Sequence, residues 1–277
     1  MTFCYILLPV HNRREITQKF IECLKSQTYQ NYKLILIDDG SSDGTATMVQ
    51  SQISDLTIIT GNGNWWWAGS LQQGINWLKA NSTIAQDVIL MINDDVFIKP
   101  DFLAIAIALL QKTPKTLLQA QGYSIQTGEC LDIGVNVDFA SFSFNRPNSP
   151  EDINCLSTRG LFLCWQDLQQ VGNFYPRLLP HYLSDYEFTM RSHRKGLILS
   201  THPDLKLWIN EETTGFHPKG KWHFTSLLKR YFSRRSSANK IDWTMFVLLT
   251  APKDKILINL AQVWINGLVK LLTQKAV

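Results

Sequence analysis

A chain of 277 residues with 45% apolar, 18% charged and 11% aromatic side chains can fill one large core and is not a disordered segment. Its 27 Lys+Arg against 23 Asp+Glu leave +4, too small a surplus to argue for nucleic acid, and no nucleic-acid partner is expected. Five cysteines, an odd number without a C-x-x-C pair, argue against a disulfide scaffold or a structural zinc site and fit a reducing compartment. The first apolar run, residues 3–8, meets Pro9 and then His11-Asn12-Arg13-Arg14, without a basic n-region or a small-residue cleavage site. No stretch reaches the ~20 apolar residues of a membrane span. The chain reads as cytoplasmic.

The predicted elements alternate over the first hundred residues. Residues 3–9 form a continuous apolar run, as a strand buried on both faces does. A helical period follows through Ile16, Phe20, Cys23 and Leu24. Residues 33–37 are a second strand, 45–53 a short helix, 56–60 a third strand. Leu71, Ile75 and Leu78 mark a helix over 70–80. Residues 88–92 are a fourth strand, and Pro100-Asp101 open an apolar helix to 112. This order predicts an open, mostly parallel α/β sheet with helices on both faces. Beyond residue 119 the pattern mixes: strands over 119–125 and 136–144, a Pro/Asn/Ser loop over 145–154, an apolar strand from 161, a short helix to 171, a helix over 184–195 and a strand over 197–200.

In such a sheet, ligands sit at the carboxyl ends of the strands. The polar clusters fall there: Asn12 after the first strand, Asp38-Asp39-Gly40-Ser41 after the second, Asn93-Asp94-Asp95 after the fourth. Paired acids can accept hydrogen bonds from a base or a ribose, and can also simply form a turn. Carboxylates after the fourth strand suit a hard divalent cation, or a plain acidic turn. In Ser184-Asp185-Tyr186-Glu187, Ser184 can cap a helix whose first turn favours carboxylates through its dipole; a general base at a helix start is the functional alternative. His217, in Gly215-Phe216-His217-Pro218, is either a ligand or a structural histidine. Residues 61–69 fail the G-x-G-x-x-G fingerprint, because Trp66 stands at the third glycine and the segment does not follow the first strand. Trp65, Trp66 and Trp67 are core, partner surface or the lining of a sugar site.

In order and spacing these segments resemble the family 2 glycosyltransferases of GT-A fold. The likeness rests on Pro9-Val10-His11-Asn12-Arg13, Gln27-Thr28-Tyr29, residues 37–45, Gly63-Asn64 with Ala68-Gly69, Asn93-Asp94-Asp95, residues 184–187 and His217. It spans roughly residues 3–218 and is greatest with the rhamnosyltransferase-like enzymes of bacterial cell-surface polysaccharide assembly. The resemblance implies a GT-A, Rossmann-like catalytic domain over 1–218. Residues 1–100 would be its nucleotide-binding half and 101–218 its acceptor half. Pro9, Asn12, Asp38, Asp39 and Asp94 would contact or brace the donor. Asp95 and His217 would bind Mg²⁺ or Mn²⁺. Asp185 would be the base, with Trp66, Trp67 and Glu187 near the acceptor or its loop. The implied reaction is inverting transfer from a nucleoside-diphosphate sugar to a glycan or lipid-linked hydroxyl. Asn93 stands where the D-x-D motif has its first Asp, and Ser184 where a Glu usually precedes the base. A sugar nucleotidyltransferase would need a glycine-rich basic loop after the first strand, where His11-Asn12-Arg13-Arg14 has no glycine. A non-catalytic sugar- or nucleotide-binding module would leave Asp95 or Asp185 outside the pocket.

Residues 219–277 read as a basic and apolar helical extension. Seven Lys/Arg and no acid fall between Glu212 and Asp242. Around Trp222, Phe224, Leu227, Leu228, Tyr231 and Phe232 this resembles a basic amphipathic helix in peripheral contact with an anionic membrane at the inner face of the cell. The other reading is an ordinary helix pair packed on the catalytic domain.

Overall fold

The computed structural model describes residues 2–81, 84–212 and 224–273. The first half runs β1 (Cys4–Val10), α1 (Arg14–Lys25), β2 (Tyr32–Asp38), α2 (Thr45–Gln50), β3 (Leu56–Thr60), α3 (Trp66–Ala80), β4 (Val88–Met91), β5 (Val96–Ile98) and α4 (Phe102–Lys112). The second half runs β6 (Thr116–Ser124), β7 (Cys130–Asp132), β8 (Asn136–Asp138), β9 (Ser143–Asn145), β10 (Leu161–Cys164), α5 (Trp165–Val171), α6 (Ser184–Arg194) and β11 (Ile198–Ile209). Three helices follow: α7 (Phe224–Phe232), α8 (Lys240–Thr250) and α9 (Ile256–Thr273).

The main sheet has the order β3-β2-β1-β4-β10-β6-β11-β5, with β7 added on β6. β3, β2, β1 and β4 are mutually parallel, as are β6 and β11. β10 runs antiparallel to both β4 and β6. β1 and β2 are in register to their ends, with Val10 beside Asp38, so the loops that follow them meet. Helices cover both faces, and the residues of β1 alternate between them. Ile6 and Leu8 join Phe20, Leu24, Leu103 and Ile107 on one side; Leu7 joins Ile35, Leu71, Ile75 and Leu78 on the other. A strand apolar at every position is what a two-faced core requires.

The fold matches the expected mostly parallel α/β sheet, with several local differences. α3 begins at Trp66 rather than at residue 70. β5 and β7, three residues each, are too short to show a period of two. The expected strand over 136–144 is the separate hairpin of β8 and β9. β11 continues to Ile209 because a register shift between His202 and Lys206 absorbs the polar His-Pro-Asp interruption. All five cysteines are unpaired.

Gln27 ties the first helix to the far end of this half. Its amide donates to the Lys99 carbonyl at 2.8 Å and accepts the Leu103 N–H at 3.0 Å. At the C-terminal end, α8 packs on α6. Phe246 shares a third core with Val137, Cys155, Leu183 and Met190. Asn239 caps α8 by accepting the N–H groups of Ile241 and Asp242.

Candidate active site

The loops after β1, β2 and β3 form one hydrogen-bonded platform. His11 Nδ1 bonds the Asp39 carbonyl at 2.7 Å. The Asn12 N–H donates to Ser41 Oγ, and Asn12 Oδ1 accepts the Ser42 N–H at 2.8 Å. Asn12 sits at φ 51°, a conformation that asparagine tolerates better than most residues. Asp38 Oδ1 accepts the Ser41 N–H. Asp39 Oδ1 accepts the N–H of Gly63 at 2.8 Å, while Oδ2 accepts those of Trp65 at 2.8 Å and Trp66 at 3.2 Å. Both acids are buried. Asp39 thus holds the start of α3, where a carboxylate favourably meets the positive end of the helix dipole. Gly61 lets the loops close: a Cβ there would lie 2.5 Å from Asp39 Oδ1 and 2.7 Å from the Trp65 ring. Pro9 ends in register with Ile37 just before this platform.

The acids after β4 are held by a cation of the chain itself. Arg13 Nε lies 2.9 Å from Asp94 Oδ1, and its Nη2 lies 3.3 Å from Asp95 Oδ2. Thr17 Oγ1 donates to Asp94 at 2.7 Å. Burial pushes the Asp94 carboxyl above the usual carboxylate range, and Arg13 pulls it back. Asp94 and Asp95 share one hollow, and Asp95 reaches a second. The shared hollow, of about 520 Å³, is also bordered by Lys19, Glu22 and Phe97. The second is a cavity of about 630 Å³ that contains Asp185. His217, the other expected metal ligand, lies outside the described residues. Among the described residues, no group of three or more His, Cys, Asp or Glu is placed to hold a metal ion.

Asp185 enters the cavity from the first turn of α6. Leu183, not Ser184, precedes the helix as its cap, in the left-handed region at φ 66°. Ser184 Oγ instead donates to the His181 carbonyl. That turn costs a leucine about 1–2 kcal/mol, and it is held because Leu183 is packed in the core shared by α6 and α8. Asp185 Oδ1 accepts the Tyr186 N–H at 2.9 Å. Burial pushes the Asp185 carboxyl up to about 6, and nearby Asp132 adds to the rise. Part of the side chain still faces the cavity, so the group is both perturbed and reachable. Glu187 points elsewhere. It accepts from Arg191 Nε at 2.7 Å and Nη2 at 2.9 Å, and Arg191 also donates to the Val171 and Asn173 carbonyls. This buried fork braces α6 against the loop after α5.

The remaining walls join the expected Trp67 to residues that carry no motif. Thr158 and Arg159 line the cavity just before β10, and the Gly160 N–H bonds the last carbonyl of β4, that of Met91. β10 is antiparallel, so its beginning lies at the edge where the parallel strands end. Trp67 also lines the cavity and donates its indole N–H to Thr158 Oγ1 at 2.8 Å. Trp66, at φ 57°, meets the His181 ring at 5.7 Å. Trp65 packs against the core beside α3. The far wall is Arg235, Ser237 and Trp243, from α8 and the turn before it. Arg159 Nε is buried without a hydrogen-bond partner.

The family model for Glycosyl transferase family 2 matches residues 5–151, more than half of the chain. The chain belongs to glycosyl transferase family 2. The matched segment contains every strand-end cluster of the platform and the acid pair held by Arg13. Solved structures agree on the GT-A fold of this glycosyltransferase. The mannosyltransferase PcManGT from Pyrobaculum calidifontis, solved with GDP-Man and Mn²⁺, aligns at TM-score 0.58 and 14% identity, over 98% of this chain and 72% of its own. S. aureus TarS 1–349 with UDP-GlcNAc aligns at TM-score 0.61 and 15% identity, over 99% of this chain and 81% of its own. A longer S. aureus TarS structure aligns at TM-score 0.61 and 14% identity, and the glycosyltransferase spans 49% of it. No curated protein sequence matches the chain.

Proposed function

We propose that this glycosyltransferase moves a sugar, with inversion, from a nucleoside diphosphate to a hydroxyl of a glycan or lipid-linked acceptor. The observation that carries the reading is one cavity lined by both Asp95 and Asp185, with the Asp185 carboxyl pushed up to about 6. A general base works best with a pKa near the working pH. In the proposed step, the acceptor oxygen bonds to the anomeric carbon as the bond from that carbon to the diphosphate oxygen breaks. Asp185 takes the hydroxyl proton. The displacement is single, so the anomeric configuration inverts. Pro9, Asn12, Asp38 and Asp39 would shape the nucleotide side. Asp94 would reach the donor ribose or sugar, and Trp66 and Trp67 would border the acceptor.

The residues present fit a divalent ion. Asp94 and Asp95 already accept a cationic group, the Arg13 guanidinium, and carboxylate oxygens are the donors that Mg²⁺ and Mn²⁺ prefer. Such ions commonly take one or two carboxylates plus substrate phosphates, so Asp95, with His217, would hold one alongside the donor. When bound, the ion offsets charge growing on the departing diphosphate.

We also read residues 1–218 as the catalytic unit and 219–277 as an extension that completes the acceptor wall. The motif order supports a rhamnosyltransferase-like, hexosyl-transferring enzyme of cytoplasmic surface-polysaccharide synthesis. A screen of uridine, thymidine and guanosine diphosphate sugars, with and without Mn²⁺, tests the reading by donor hydrolysis and by the anomeric configuration of the product. One donor should be turned over in a metal-dependent way with inversion. A retained configuration, or no hydrolysis of any donor, overturns it.

A further inference from the structure

Helix α9 has a buried side and, opposite it, an exposed apolar one. Asn259, Val263 and Gly267 are buried. The Tyr231 hydroxyl donates to the Gly267 carbonyl at 3.0 Å, and the Asn259 amide donates to the Phe139 carbonyl at 3.0 Å. That side fastens the helix to the molecule. Leu257, Ile258, Trp264, Ile265, Leu268 and Val269 are exposed, Leu257 at 81%. At about 100° per residue these six fall within an arc of about 140°, opposite the buried three. A helix side that faces only water is normally polar. Six large apolar residues gathered on one side mark an interaction surface rather than scattered exposure.

Charge selects the occupant. Residues 224–277 hold nine Lys/Arg against two acids, Asp242 and Asp254, while residues 1–223 hold eighteen against twenty-one. We propose that this face of α9 lies on an anionic lipid bilayer, with the basic residues of the same segment meeting the headgroups. Two copies packed face to face would bring two strongly basic segments together, whereas an anionic surface attracts each one. No helix among the described residues is long and apolar enough to cross a membrane, so α9 rests in the plane of the interface. The inference goes beyond the proposed transfer reaction and stands without it.

Co-sedimentation of the full chain with vesicles tests it. Phosphatidylcholine alone is compared with phosphatidylcholine containing about one third phosphatidylglycerol. Binding to the anionic vesicles is expected at low salt, weakening as salt screens the headgroups. A triple variant, Leu257→Ser with Ile265→Ser and Leu268→Ser, should lose at least about tenfold in partitioning, since it removes half of the large apolar side chains from the face. Its melting temperature should stay at the wild-type value; if it falls, Leu257→Ser alone, at the most exposed position, replaces it. Failure to co-sediment overturns the proposal, as does equal binding to neutral vesicles. A concentration-dependent dimer that the triple variant abolishes, without lipid binding, assigns the face to a second copy instead.

Discussion

At the scale of single residues, Asp185 and Glu187 separate two uses of a carboxylate two positions apart at a helix start. Asp185 faces the cavity with its pKa raised to about 6; Glu187 is closed in a fork with Arg191. Asp185→Asn keeps the shape and removes the proton acceptor. It should lower turnover by about 10²–10⁴-fold with donor binding near wild type. In the wild type, kcat/KM should rise with pH through about 6 and then level, because the base must be ionised before it accepts a proton. Glu187→Gln should instead retain most turnover and lose about 1–3 kcal/mol in urea unfolding, since Arg191 loses its charged partner. The opposite pattern in the two variants reverses the assignment. Arg13 is the next informative residue. Arg13→Met leaves Asp94 and Asp95 without their guanidinium. It should cost about 1–3 kcal/mol, between the values for exposed and fully buried pairs because Arg13 is partly solvated. Added Mn²⁺ should then raise the melting temperature of the variant more than that of the wild type. An equal rise in both would mean that the ion does not use this acid pair.

At the scale of elements, the catalytic geometry depends on how closely loops approach. Gly61→Ala has no room, since its Cβ would press on Asp39 and the Trp65 ring. The Asp39 bonds to Gly63, Trp65 and Trp66 should loosen. We expect a loss of about 1–3 kcal/mol and weaker donor affinity by titration calorimetry; an unchanged affinity would show that the platform does not shape the nucleotide side. α8 contributes from the other direction. Trp243 lines the cavity, packs on Phe142, Phe144 and Phe246, and donates Nε1 to the Ser237 carbonyl at 2.8 Å. Trp243→Phe keeps the aromatic stack and removes that bond. The acceptor KM should rise several-fold, by about 1 kcal/mol for one lost hydrogen bond, while donor hydrolysis stays unchanged. A change confined to donor hydrolysis would put the acceptor elsewhere.

At the scale of the molecule, two buried acids tilt the stability curve. Asp185 and Asp242 are both pushed up to about 6 by burial, from an ordinary value of 3.8. Well below pH 4 each is neutral in folded and unfolded chains alike. Between about pH 4 and 6 the unfolded chain gives up these protons while the fold retains them, so stability declines across that window and levels above it. A shift of about two units corresponds to at most about 3 kcal/mol per group, and less where the group reaches solvent. Asp185→Asn should therefore melt higher than the wild type at pH 8 and equally near pH 3, even as it loses turnover. A lower melting temperature at pH 8 would mean that the Asp185 carboxylate stabilises the fold. Such a trade between activity and stability is usual where a site holds a charge in a poor dielectric.

The sequence by itself determined most elements of the first half of the fold, and the family. Strands buried on both faces must be apolar at every position, and the helices between them must show a period near 3.6, so residues 3–112 announce all their elements but the three-residue β5. It also singled out Asp95 and Asp185, because acids at a strand end and a helix start are visible in one dimension. Tertiary structure decided the rest. Arg159 lies in the cavity only because β10 runs antiparallel, which brings its beginning to the edge where the parallel strands end. Arg13 bridges two acids some eighty residues away. Arg235 and Trp243 reach the cavity only because α8 docks on α6 through Phe246. Spacing along a chain records which residues share a face of one element. It does not record which elements lie side by side, and that adjacency is fixed by burial of faces from distant segments in a common core.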